Sequence, residues 1–137
     1  MQTTTNIDRD TNLGMAIDWT RRSAQRKIDQ FTASLRKHGV AHAIRYGAAD
    51  AAIVAEKIVE MIDRVVAKAE NDGLDAAIAY VAAVRDQATT QMGYFDPTSQ
   101  STSVASTLVA AAEFLAHRRA FEAADEMIRA HQMDLDG

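Results

Sequence analysis

The chain has 137 residues, of which 47% are apolar, and its 15 basic and 19 acidic side chains give a formal net charge of −4. This composition is typical of one folded globular domain and too apolar for a disordered chain. The absence of cysteine excludes a disulfide framework, a thiolate nucleophile and a cysteine-ligated metal site. No apolar run approaches the roughly 18 residues of a membrane span, and the N-terminus lacks the basic and apolar regions of a secretory signal. We therefore expect a cytoplasmic protein without a membrane segment.

Alanine dominates the apolar content, with 27 Ala in the chain and only one Pro. Alanine is the strongest helix former, and a chain with almost no proline rarely interrupts its helices. Small side chains also let helices pack at short interaxial distances. The sequence therefore predicts an all-α fold, a single-domain bundle of four to five helices with an alanine-rich core.

The N-terminal part of the chain predicts a tail, a long helix and a short one. Residues 1–10 are polar and unpatterned, so we interpret them as a tail and place the single helical domain over 11–137. Thr11 or Asn12 can cap the first helix, and Gly39, which follows two basic residues, is a typical stop. A short helical piece then follows up to Gly47. The main helices are predicted near residues 13–38, 48–70, 75–91 and 103–132. Gly73 is expected to end the second of them, and Asp96-Pro97 predicts a short turn before the last.

The last predicted helix has two apolar faces. One contains Leu108 and Leu115, and the second, rotated by something over 100°, contains Phe114, Phe121 and Ile128. Two arrangements fit this pattern: a helix broken near residues 117–119, or one continuous helix covered on two sides. The second cover is either the 40–47 segment or another subunit, which makes Phe114, Phe121 and Ile128 a candidate homodimer face.

Charge is distributed unevenly along the chain. Residues 13–47 contain seven basic and two acidic side chains, a net of +5, whereas residues 48–100 contain four basic and nine acidic ones, a net of −5. In one interpretation the helices neutralise each other within the bundle or are simply solvated. In the other, the basic first helix meets an anionic partner, either nucleic acid or an acidic protein surface.

A candidate partner-binding surface lies on the first helix, opposite its apolar stripe. On a helical wheel, Met15, Trp19, Arg22 and Arg26 fall on one side. A tryptophan flanked by arginines is the combination that dominates interface hot spots. The alternative is that Trp19 packs under the tail or on another helix, because tryptophan is usually largely buried.

The sequence contains no recognisable catalytic, metal or cofactor motif. His38 and His42 are four residues apart, as two helical zinc ligands would be, but Gly39 is expected to break the helix between them. No Glu lies three residues before a His, so the di-iron bundle pattern is absent. Glu113 and His117 are spaced for a surface ion pair rather than for a general base. We therefore assign no catalytic residue, no metal ligand and no cofactor.

The function predicted from these features is that of a small non-enzymatic protein that binds another protein. It would act as an adaptor, regulator or inhibitor by occupying a macromolecular surface. The first alternative is a nucleic-acid-binding protein that uses its basic segment, residues 13–47. The second is a small-molecule-binding protein or an enzyme without a recognisable motif.

Overall fold

The computed structural model describes the backbone of residues 7–93 and 104–137 and the side chains of 7–92 and 112–137. Within these residues the chain forms helices and no strand, which confirms the all-α prediction. The helices are α1 (Asn12–His38), α2 (Val40–Tyr46), α3 (Ala49–Asp72), α4 (Leu74–Gly93) and α5 (Val104–Asp136). The largest difference from the predicted boundaries is at α5, which continues four residues beyond 132. The predicted turn at Asp96-Pro97 lies outside the described residues.

The ends of α1 and α3 have the caps expected from their sequences. The Thr11 hydroxyl accepts a hydrogen bond from the Gly14 N–H at 3.0 Å and so caps the start of α1. Gly39 ends the helix at a φ of 86°, and its N–H donates to the Leu35 carbonyl at 2.9 Å. Gly73 ends α3 at a φ of 98°. A positive φ strains any residue with a Cβ, so glycine is the residue that stops these helices most easily.

The junction between α2 and α3 uses its glycine differently. Gly47 has an ordinary φ of −92°, but a Cβ there would lie 2.6 Å from the Ala43 carbonyl oxygen and 3.0 Å from the Ser34 Oγ. Glycine is therefore required for close approach. The left-handed conformation is at the next residue instead, where Ala48 has a φ of 57°, a conformation that costs about 1–2 kcal/mol for a residue with a Cβ.

Ala48→Gly is expected to raise the free energy of unfolding by about 0.5–1 kcal/mol, because relief of the left-handed strain outweighs the greater entropy of glycine in the unfolded chain. Urea denaturation measures the change. Ala67→Gly is the matched control, since Ala67 is exposed within α3 and glycine in a helix interior costs about 1 kcal/mol. A loss of stability in both variants would contradict the assignment of strain to Ala48.

The bundle is built around α3 and α5, which pack against each other. Both helices also contact α1 and α4, whereas α1 and α4 do not touch in the described part of the chain. The short α2 packs on α1 and α3. Alanine contributes 13 of the 23 buried apolar residues among those described, so the core is alanine-rich, as predicted.

Helix α5 is continuous through residues 117–119, which decides between the two predicted arrangements. Its buried residues, including Ala116, Ala123 and Met127, face the core. On the other apolar side Ile128 packs against the core, and the neighbouring Asp125 forms an ion pair of 3.2 Å with Arg85 of α4. Three helices of the same chain, α1, α3 and α4, therefore pack against α5. Helix α2, which belongs to the 40–47 segment predicted as a possible cover, does not contact α5 among the described residues.

Residues 7–10, which the sequence pattern assigned to the tail, pack against the bundle. Ile7 is 7% exposed and is part of the core. Gly14 makes room for this segment, since a Cβ at that position would overlap the Asp8 carbonyl oxygen and lie 2.9 Å from the Arg9 Cα. A single apolar residue in a polar segment has no periodicity, so its burial left no signal in the sequence.

Asp134, near the end of α5, holds the start of α1. Its two carboxylate oxygens accept hydrogen bonds from the Asn12 N–H at 2.8 Å and the Leu13 N–H at 3.0 Å. These N–H groups are among the first of α1, which have no partner within the helix, and a negative charge is favourable at this end of a helix. The bond from Leu13, aided by that from Asn12, lowers the pKa of Asp134 despite its partial desolvation. Residues more than a hundred positions apart in sequence are thereby joined.

Asp134→Asn is expected to lower the Tm at pH 7, with a difference from the wild type that shrinks in acid. The pKa of Asp134 is lower in the folded than in the unfolded state. The charged carboxylate therefore stabilises the fold above the unfolded pKa of about 3.9, and this stabilisation is lost as the pH falls through the folded pKa. Thermal melts from pH 7 to pH 2.5 measure this. Asp136→Asn is the control, because among the described residues the Asp136 carboxylate bonds only the nearby Gln132 side chain, at 3.3 Å. An undiminished difference at pH 2.5 would contradict the role of the charge.

Candidate functional site

The four residues predicted as a partner-binding surface are all exposed on α1. Trp19 is 62% exposed and Met15 is 53% exposed, so the alternative in which Trp19 is buried under the tail or another helix is not what the described residues show. Arg22 forms an ion pair of 3.0 Å with Asp18 one turn earlier. Arg26 has no ion-pair partner among the residues described.

Packing of α5 beside α1 adds a fifth residue to this surface. Met133 is 60% exposed and lines the same groove as Met15 and Trp19. Met15, Trp19, Arg22, Arg26 and Met133 together are called the Trp19 surface below. Sequence reasoning missed Met133 because it follows the predicted end of the last helix, and because the register of two helices is not visible in either one alone.

Two grooves flank Trp19 along the junction of α1 and α5. The Lys27-side groove, of about 230 Å³, lies where α1, α3 and α5 meet, and Trp19 and Lys27 are at its rim. The Met133-side groove, of about 340 Å³, lies between α1 and α5 and runs from Trp19 towards Met133. Both grooves are lined by Trp19 and Glu126. The indole ring therefore separates two adjacent depressions on one face of the bundle.

The Lys27-side groove is bordered by buried core residues, which include three alanines beside the larger Val54 and Ile58. Ala24, Ala55 and Ala123 line it, and all three are buried. An alanine at a three-helix junction fills less of the space between the helices than a larger apolar side chain would. The alanine content that allows close helix packing thus also produces the groove beside Trp19.

The asymmetry of charge in the sequence is partly neutralised within the fold. Arg21 of α1 forms an ion pair of 3.0 Å with Asp63 of α3, and Arg22 is paired with Asp18. Arg26 and Lys27 have no such partner among the described side chains. The interpretation in which the helices neutralise each other therefore holds in part, whereas an anionic partner for the outward-facing charges stays a prediction.

The face predicted for a homodimer is half-buried within one chain. Phe114, Phe121 and Ile128 are each partly covered, and Ile128 packs against the core. The contact between Asp125 and Arg85 places α4 on this side of α5. Because the same chain already covers part of this face, less apolar surface is left for a second subunit to cover. A homodimer through these residues stays a prediction.

Two histidines considered as metal ligands approach each other in the structure. Gly39 separates α1 from α2, as expected, yet the rings of His38 and His42 are 4.2 Å apart and the ring of Tyr46 follows at 4.9 Å from His42. These rings stack along α2 rather than surrounding a common point. No group of three metal-ligating side chains is present in the described residues.

A third groove lies between α3, α4 and α5 and has a volume of about 350 Å³. It contains Glu113 and His117, together with Tyr80. General acid–base catalysis requires groups held within hydrogen-bond reach of a substrate and of each other, and no hydrogen bond or ion pair orients Glu113 or His117 among the described residues. The groove therefore supplies no arrangement with a specific chemistry.

Comparison with models of protein families, with curated proteins and with solved structures found no match to this chain. No helix in the described residues is apolar over a sufficient length to cross a membrane. Function therefore has to be argued from the surface itself.

Proposed function

We propose that this chain is a non-enzymatic protein-binding module that docks on another protein through the Trp19 surface. The observation that carries the proposal is the 62% exposure of Trp19 between two grooves. Met15 and Met133 extend the exposed apolar area from Trp19 along one of these grooves. Exposed apolar patches with a polar rim are typical of interaction sites, and tryptophan and arginine are enriched among hot-spot residues.

A protein partner fits the charges of this surface better than nucleic acid does. Two of the arginines that the basic segment offers to phosphates, Arg21 and Arg22, are engaged with Asp63 and Asp18. Glu126 lies in both grooves, where it would repel a phosphate backbone. Dedicated nucleic-acid-binding domains usually present an uninterrupted basic patch. The nucleic-acid alternative predicts a steep fall of affinity with salt.

The dimensions of the grooves favour a macromolecular partner over a small ligand. Volumes of about 230 and 340 Å³ are below or near the lower limit of the roughly 300–1,000 Å³ typical of small-molecule sites. The tryptophan also projects outward between the grooves instead of closing either one. Such a shape suits a partner that covers both depressions at once.

Photo-crosslinking in the native cell tests this proposal. A benzophenone amino acid replaces Met15 in one variant and Ala67, exposed on α3, in the control variant. We expect a protein adduct, sensitive to protease and resistant to nuclease, from position 15 and none of the same mass from position 67. A nuclease-sensitive adduct at position 15 would support the nucleic-acid alternative instead, and equal adducts at both positions would contradict a specific docking surface.

A further inference from the structure

We infer that the occupant of the Trp19 surface is an acidic amphipathic helix of the partner protein, with two large apolar side chains seven residues apart that enter the two grooves. This inference rests on the proposed function and specifies the chemistry of the partner. Three observations carry it: the spacing of the grooves, the apolar residues beside Trp19, and the unpaired charges at the rim.

The spacing of the grooves matches two turns of a helix. Along α1, the Met133-side groove is lined by residues from Asn12 to Trp19 and the Lys27-side groove by residues from Trp19 to Lys27. Their centres are therefore separated by about seven residues, or about 11 Å at 1.5 Å per residue. A helix lying along α1 presents positions i and i+7 on one face at that distance. Its residues between these anchors would rest on the indole of Trp19.

Both grooves offer apolar contacts to such anchors. Met15 and Met133 form sides of one groove, and methionine adapts its flexible side chain to different partner shapes. The other groove has an apolar floor in which the alanines Ala24, Ala55 and Ala123 lie beside Val54 and Ile58. A large aliphatic or aromatic anchor would fill the space that these alanines leave.

The rim charges favour an acidic partner on the side of α1. Arg26 and Lys27 have no ion-pair partner among the described residues, and they lie on the helix that borders both grooves. On the side of α5, Arg119 and Arg129 are already paired with Glu122 and Asp125, at 3.1 and 3.0 Å. Glu126 of α5 lines both grooves and would repel a carboxylate on the opposite flank. The partner helix is therefore expected to carry Asp or Glu only on the flank that faces α1, which a uniformly anionic phosphate backbone could not do.

A second copy of this chain fits the surface less well. Around Trp19, the side chains Arg22, Arg26 and Lys27 are basic, although the whole chain has a net charge of −4. An isologous dimer would bring these basic residues of two copies to the same interface. Among the described side chains at this surface that have no ion-pair partner, Arg26 and Lys27 outnumber Glu126. Two copies would therefore bring a net positive charge to one interface, whereas the carboxylates of an acidic helix would pair with Arg26 and Lys27.

A displayed library of random 16-residue peptides tests the inference. Peptides are selected on the wild-type protein after removal of those that bind Trp19→Ala. We expect enriched peptides to have large apolar residues at i and i+7 and an excess of Asp and Glu. For one such peptide, the Arg26→Glu/Lys27→Glu variant should bind about tenfold more weakly, since two attractive rim contacts become repulsive. A peptide in which Lys replaces the acidic residues should then prefer that variant over the wild type.

Several outcomes would overturn the inference. These are the absence of enrichment over Trp19→Ala, enriched peptides with a basic excess or without the i, i+7 pattern, and affinity that does not respond to the charge reversal. Sedimentation is measured in parallel, and a dimer at tens of micromolar that Trp19→Ala dissociates would assign the surface to a second copy. If the peptides fail while the crosslink from position 15 persists, the proposed function stands and only the acidic helix is wrong.

Discussion

Trp19→Ala is expected to weaken binding of the partner by about 2 kcal/mol or more, roughly 30-fold, while leaving the Tm nearly unchanged. Trp19 is 62% exposed and outside the core, so its truncation opens no internal cavity. A buried tryptophan would instead cost about 3–5 kcal/mol of stability when cut to alanine. Thermal melting of the variant, followed by titration with a selected peptide, separates the two effects.

Two further variants serve as controls for Trp19→Ala. Leu135 is 66% exposed but lines neither groove, so Leu135→Ala should change neither binding nor stability. Trp19→Phe keeps an aromatic ring between the grooves and should retain part of the affinity. A large drop in the Tm of Trp19→Ala would show that the residue is structural. An unchanged affinity at unchanged Tm would show that the partner binds elsewhere.

Ile62→Ala is expected to lower the free energy of unfolding by about 2–5 kcal/mol. Ile62 is 0% exposed on α3, the helix that contacts each of the other four described helices. Its replacement by alanine leaves a cavity, because the neighbouring alanine side chains are too short to fill the space. Urea denaturation monitored by circular dichroism measures the loss.

Ile53→Ala provides the matched comparison in the same helix. Ile53 is 36% exposed, so its truncation removes a smaller buried area and leaves no closed cavity, and we expect a loss below about 1 kcal/mol. Similar losses for Ile62→Ala and Ile53→Ala would mean that the core does not depend on close packing around α3.

The helices were predictable because they depend on local chemistry. Thr11, Gly39 and Gly73 act on the backbone within a few residues of themselves, and the 3.6-residue periodicity marks which side of α1 and α3 is buried. The same wheel placed Trp19 away from the apolar stripe of α1, but it left open whether another element covers the indole. The left-handed conformation of Ala48 could not be predicted from the sequence. The neighbouring Gly47 is required partly because a Cβ there would lie close to Ser34, which belongs to α1.

What depends on helix pairing could not be read from the sequence. The second apolar side of α5 indicated that another element covers this helix, but several amphipathic segments could have done so. In the structure, α4 packs on this side of α5. The sequence likewise did not indicate that Met133 lies in the same groove as Met15, or that Asp134 accepts hydrogen bonds from the start of α1.

The sequence by itself determined an all-α, alanine-rich bundle and the position of Trp19 off the apolar stripe of a basic helix, because propensity, capping and periodicity act over short distances along the chain. The tertiary structure alone decided which helices adjoin that tryptophan, where alanines leave grooves and which arginines are already paired. These features depend on the register and spacing between helices distant in sequence. Many registers of small, similar side chains satisfy the same pattern, so only the packed fold selects among them.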